Sequence, residues 1–355
     1  VSSLIIDEKR GILDIASRDT LEGETSINPN LLKFIDSIIK DILPQKDFDH
    51  SYERSLSPYE HRVDFAAVEK ALDSDAVKTD LAMRVPIRKV LDDLVMLIKN
   101  QDKVGGITQS FVQGLTLTTG PEAQKILGDY LLGIWRKGRE LAIGELPPKI
   151  REKVGTRKFA GLEPVQAINF FQNLRPWLIK GIIDDELKKT ARLELTEHLK
   201  GGRTLTETIG NLRSAWEPWI GDPEKVIPSG ISGAPEDILQ AYRLENIIRT
   251  ESITSLSQGR AEIADEAGDF VVGYELSPIL DERTSEICNR IGDLQESDRP
   301  VMFRKDDPRS ERLIPALHWN CRTIPIFVTS DDLPVRWSTE AELDSVVRLI
   351  PQGFK

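Results

Sequence analysis

Apolar positions fall without a period across the first 74 residues, except at 31–43. There Leu31, Leu32, Phe34, Ile35, Ile38, Ile39, Ile42 and Leu43 predict one short helix, stopped by Pro44, amid clusters of Gly, Asn, Asp and Ser. Residues 1–74 therefore read as an extended or partly disordered arm, with the composition of a segment that drapes over a partner or of one that lacks order. From Asp75 the pattern turns helical. Val85 and Pro86 interrupt it, and it resumes over 87–98 with Val90, Leu91, Leu94 and Ile98 on one side. Gly120-Pro121-Glu122 opens the next helix, because a proline in the first turn lacks only an N–H that would have had no partner. Its stripe of Ile126, Leu127, Tyr130, Leu131, Ile134 and Trp135 marks a core-facing helix.

Past a turn at 144–148, three more helices are legible: 164–174 or a little beyond, 182–199, and 205–216. Gly201-Gly202 ends the second, and Thr204 with Glu207 forms a capping box for the third. Residues 217–234, rich in Pro and Gly, read as a long loop, with Trp216 and Trp219 at its entrance as core anchors. Pro235 opens the longest predicted helix, running to about Gly268. At about 100° per residue, Ile238, Tyr242, Ser252, Leu256, Gly259, Ile263 and Ala267 share a face. Arg249 falls in the middle of it with Glu245 one turn earlier, and an arginine on an apolar face must find an acceptor. Glu245 and the groups of the Asp281 motif are the candidates. Ser252, Ser255 and Gly259 allow a close neighbour, expected to be a small sheet. Phe270, Val272, Tyr274 and Leu276 alternate as a half-buried strand does, and 323–328 supplies a second strand that Pro325 confines toward an edge.

The fold class expected is α+β, with a predominantly helical N-terminal region followed by a small α+β module carrying a short antiparallel sheet. The segments are the arm 1–74, a helical region 75–160, the module 161–330, and a tail 331–355 with a short helix.

Composition narrows the classes. No apolar run approaches bilayer length, so a membrane partner is not expected. The opening Val1 to Asp7 has neither a basic leader nor a sustained apolar stretch, and does not read as a signal peptide. A net charge of −11 argues against a protein that coats nucleic acid along its length, although Arg304-Lys305 and the pair Arg309 and Arg312 form local basic patches. Two cysteines build no disulfide framework, which fits folding in a reducing cytoplasm.

Both cysteines lie between the two predicted strands. His318-x-x-Cys321 lets one turn supply two metal ligands, and strand pairing brings Cys288 as a third; Asp281, Asp293, Glu286 or a water stands as the fourth. Three readings remain open: a zinc-type clasp, two reduced core cysteines with a hydrogen-bonded histidine, and a disulfide, the last disfavoured by compartment. Arg283 and Arg322 sit beside these residues and suit bidentate pairing with Asp281 or Glu251. They form either an internal ion-pair lattice or an anion site, and no Gly-rich phosphate cradle accompanies them. The motifs of serine hydrolases, phosphate loops, zinc proteases and zinc deaminases are missing from the sequence, and solvated positions best explain His50, His61 and His198.

Arg249-Thr250-Glu251, then Tyr274, then Asp281 with Arg283, Thr284 and Cys288, then Gly292, and finally Pro315 with His318, Asn320, Cys321 and Arg322 occur in order. In that order and spacing the chain resembles the phage head-morphogenesis (Mu F-like) family of minor capsid proteins, over roughly 162–328. Many members end the motif in Cys-Arg-Cys, whereas Thr323 stands last here. The resemblance implies a low-copy structural protein of a tailed bacteriophage virion, inside the capsid near the portal after assembly in the host cytoplasm. By the same resemblance it is expected to bind the portal protein and assist head assembly or genome delivery, with the major capsid protein and packaged DNA as further contacts. Cys288, His318 and Cys321 then cross-tie two loops, while Asp281, Arg249, Arg283 and Arg322, with Glu245 and Glu251, make an ionic frame. The rival readings are a metal-dependent, nuclease-like hydrolase using His318 with Arg322, and a host-delivered transferase using Arg249 and Glu251.

Overall fold

A computed structural model describes residues 3–7, 12–16, 59, 62–70, 72, 75–156, 165–220, 243–280, 284–295, 300–319 and 321–351. The chain forms two compact units, Val1–Phe48 and Asp49–Lys355. In the first, β1 (Ser3–Asp7) and β2 (Ile12–Ala16) pair antiparallel, with Ser3 opposite Ala16 and Asp7 opposite Ile12. This stretch lacks strict alternation and was expected to be irregular, yet backbone pairing between two short apolar runs suffices for a hairpin. The helix expected over 31–43 lies outside the described residues.

The second unit begins with α1 (Phe65–Glu69), whose N-cap Asp64 accepts the N–H of Ala67. Next come α2 (Asp75–Gly105), α3 (Gln109–Gly114), α4 (Gly120–Glu145) and α5 (Pro148–Thr156). Pro86 does not interrupt α2. A proline inside a helix forfeits one ladder hydrogen bond, but Pro86 is buried among Met83, Ile87, Val90 and Leu91, and that packing holds the helix through it. The helices expected at 164–174 and 182–199 are likewise one run. α6 (Val165–Asn169) passes through a π turn (Phe170–Leu174) into α7 (Arg175–Leu199), with Pro176 in the first turn after the π segment. Gly201, at φ 77°, ends α7 in the left-handed conformation that glycine adopts freely. The capping box of α8 (Leu205–Ile220) forms as expected, Thr204 Oγ1 accepting the Glu207 N–H at 3.2 Å while the Glu207 carboxylate accepts the Thr204 N–H at 2.7 Å. Trp216 and Trp219 are core residues.

The described part of the long helix expected from Pro235 is α9 (Arg243–Glu266), shorter than the 31-residue α2. β3 (Val271–Ser277), α10 (Glu286–Gln295), β4 (Phe303–Arg304), β5 (Ile324–Thr329) and α11 (Glu340–Val347) follow. The sheet is antiparallel in the order β4-β3-β5, with Tyr274 opposite both Phe303 and Phe327, and Pro325 sits on an edge strand opposite Leu276. The fold is thus α+β, helical before a small antiparallel sheet.

β3 is buried on both faces, not half-buried as its alternation suggested. Leu276, Phe303, Ile324 and Ile326 pack with Ile287 and Ile291 of α10 and Leu343 and Val346 of α11. A second cluster joins Val271, Tyr274 and Phe327 to Ala142 and Leu146 near the end of α4 and to Ile263 of α9. The helix of the tail is therefore part of the same core as the sheet.

Ser252, Leu256, Gly259, Ile263 and Ala267 form the buried face of α9, as their spacing predicts. The close neighbour is α4, however, and not the sheet. A Cβ at Gly259 would lie 2.2 Å from the Trp135 carbonyl oxygen, and one at Gly138 would lie 2.1 Å from that of Leu256. Each glycine admits the other helix's backbone, and Tyr130 Oη meets Ser252 Oγ at 2.5 Å one turn further along. Because backbone cannot yield cheaply, Gly138→Ala should lower stability by about 1–3 kcal/mol through overpacking. Gly133→Ala, at an exposed site on the same helix with nothing within 4 Å of the new Cβ, should raise it by up to about 1 kcal/mol. Denaturant melts that rank the two variants alike would disprove the close approach.

Candidate functional site

The Cys/His cluster is assembled by two neighbours of the sheet. Cys288 lies in the first turn of α10, where its N–H donates to Ser285 Oγ at 3.3 Å. Gly292, one turn on, lets Leu280 pack against the helix, since a Cβ there would fall 2.8 Å from Leu280 Cδ1. His318 and Cys321 share a tight turn in which the Cys321 N–H donates to the His318 carbonyl at 3.3 Å. Thr323, just ahead of β5, completes the group.

Cys288 Sγ stands 3.0 Å from His318 Nε2 and 3.1 Å from Thr323 Oγ1, and the donor atoms of Cys288, His318 and Cys321 all lie within 4.8 Å of one another. His318 Nδ1 is 2.7 Å from the Trp319 carbonyl oxygen, which can only accept, so Nδ1 carries a proton and Nε2 is the ring nitrogen turned toward the sulfurs. Both cysteines are 4% exposed and neither is in a disulfide, which sets the disulfide reading aside and leaves two free sulfurs beside the His318 imidazole. A hydrogen bond to Cys321 and burial push the Cys288 thiol up. Burial also acts to raise Cys321, but hydrogen bonds from Cys288 and His318 outweigh it and hold that thiol well below its ordinary range. Burial disfavours the imidazolium of His318, and its hydrogen bond to Cys321 more than compensates, so its pKa rises.

The expected fourth ligands separate. Asp281 lies outside the described residues. Glu286 is exposed in the first turn of α10, and exposed Asp293 faces Arg290 at 3.9 Å; neither belongs to the cluster.

The ionic frame differs from the expected one. Glu251 is buried and takes a bidentate pair from Arg175 of α7, Nε at 2.5 Å and Nη2 at 2.6 Å, where Arg283 or Arg322 was expected to supply the fork. Asp281, Arg283 and the side chain of Glu245 lie outside the described residues, while Arg249 and Arg322 are half-buried. His198 is half-buried, not solvated, with Nδ1 donating to the Arg203 carbonyl at 3.0 Å across the α7–α8 turn; His50 and His61 lie outside the described residues.

The fully buried arginine of α9 is Arg260. Its Nη1 and Nη2 grip Glu145 at 2.6 and 2.8 Å, Nη2 and Nε reach the Pro325 carbonyl at 2.8 and 3.2 Å, and the guanidinium lies over Phe327 at 5.3 Å. Burial pushes the Glu145 carboxyl up, opposed by Arg260. Sequence reasoning missed this pair, though a signal was there: Arg260 lies four residues after Leu256 and three before Ile263, on the apolar face.

The family model described as Phage Mu protein F like protein matches residues 189–326, the stretch from mid-α7 to β5 that contains the cluster. The match supports the resemblance to the phage head-morphogenesis family read from the sequence. Comparisons with curated proteins and with solved structures give no match. Among the described residues no helix is long and apolar enough to cross a membrane.

Removing one partner of a fully buried pair strands the other charge, so Glu145→Gln should destabilise the protein by about 3–5 kcal/mol in urea melts. The double substitution Glu145→Leu with Arg260→Met should recover most of that loss, and a single variant as stable as the parent would show that the pair is solvated.

Proposed function

We propose that the protein sits inside the capsid at the portal, bound to the portal protein through its helical region 75–160, and assists head assembly or genome delivery. The observation that carries this reading is the burial of the motif. Cys288, Cys321 and Thr323 are buried in the core that α10 shares with the sheet, which favours an architectural role for the residues of the resemblance. The acidic balance fits a protein that meets other proteins more than it coats DNA, with the major capsid protein and packaged DNA as secondary contacts. Within 75–160, α2 packs one side against α4, α8 and α9 and offers its outer side to a partner. Met96, Leu97 and Val104 stand exposed on it, at 62%, 46% and 83%.

Purified portal rings should capture the chain, and Met96→Glu with Leu97→Glu should abolish capture while leaving the melting temperature within a degree or two, as surface substitutions do. Failure of the parent chain to bind portal rings, or undiminished binding by the double variant, would refute the assignment.

A further inference from the structure

We propose that Cys288, His318 and Cys321 bind one soft divalent cation of the zinc class, with Thr323 supporting the Cys288 sulfur. Three facts converge on a cation. The donors are two sulfurs and one imidazole nitrogen, the set that such ions prefer over hard cations. Nδ1–H of His318 is engaged by the Trp319 carbonyl, which fixes the ring and leaves Nε2 as the ligand atom; this is how metal-bound imidazoles are ordinarily held. And the three donor atoms already share a volume with no pair more than 4.8 Å apart, although they come from a helix and a turn thirty or more residues away in sequence.

The fit is close without being pre-strained. Bond lengths of about 2.3 Å to sulfur and about 2.0 Å to nitrogen in a tetrahedron place donors roughly 3.5–3.8 Å apart. Cys288 Sγ and His318 Nε2, now at 3.0 Å across a hydrogen bond, would open by about half an ångström as the ion takes the place of the shared proton. The thiol protons leave to solvent, so two thiolates and a neutral imidazole compensate the double positive charge with no net charge remaining in the core.

Thr323 Oγ1 at 3.1 Å from Cys288 Sγ is placed to donate its hydroxyl hydrogen to the thiolate. It is fully buried, so this donor has no competing water. With Thr323 in that supporting position, three protein atoms coordinate and the fourth position falls to an exogenous ligand such as water.

The test uses the full-length reduced chain and Co²⁺ or Zn²⁺ alone. One equivalent of Co²⁺ should give a near-ultraviolet thiolate-to-metal absorption with tetrahedral visible bands, which one equivalent of Zn²⁺ abolishes. Thr323→Cys should bring a third thiolate into the shell, raising the near-ultraviolet intensity roughly 1.5-fold and tightening retention against chelator. Cys321→Ser should lose at least half of that absorption, with circular dichroism reporting whether the variant stays folded. Folded parent chain that takes up no cobalt, or takes it up without the thiolate band, overturns the site. Because the readout needs no portal, its failure is distinguishable from failure of the portal assignment.

Discussion

Everything after α4 depends on how closely α9 approaches that helix. Gly138 and Gly259 bring two backbones together at distances that no other residue pair would permit, and the fully buried Arg260 then sits one residue past the contact with its charge still to be met. Glu145, at the last turn of α4, meets it, and the remaining donors reach the Pro325 carbonyl on β5. Proline cannot donate to a ladder, but its carbonyl accepts like any other. One guanidinium therefore joins two helices and the edge strand, in a site where separating the charges costs far more than it does at the surface.

The Cys/His cluster inherits its precision from that junction. Thr323 and Cys321 lie just ahead of β5, and α10 brings Cys288 to the same core cluster. Were β5 free to slide by one residue, every side chain on it would exchange faces and the thiols would part. The capped helix α11, whose Leu343 and Val346 pack beside Ile287 and Ile291, closes the same core from below. A module locked in this way moves as one body.

Much of this was legible in the residues. The apolar stripe of α4, the capping box of α8, the glycine stop of α7 and the two long strands follow from local rules that the tertiary structure does not override. The joining of Cys288 to His318 and Cys321 was legible because strand pairing leaves few other places for them. What escaped the sequence is what depends on distant burial. Pro86 and the 174–182 stretch looked like breaks because helix propensity speaks for single turns, whereas Met83, Ile87 and Ile179 hold those turns from outside. The partner of the small face of α9 was misassigned because small residues announce a close neighbour without naming it. Arg175 and Glu145 were missed as ion-pair partners because each lies more than seventy residues from its mate, at positions with no local oddity.

One unit from α4 to α11 is the claim on which the functional reading stands, and native-state hydrogen exchange reads it directly. The slowest amides of α4, α9, β3 and β5 are expected to exchange with a common free energy equal to that of global unfolding, since neither side of the Arg260 junction can open without stranding a charge. Protection that splits into two levels, with β3 and β5 opening well below α4 and α9, would contradict it.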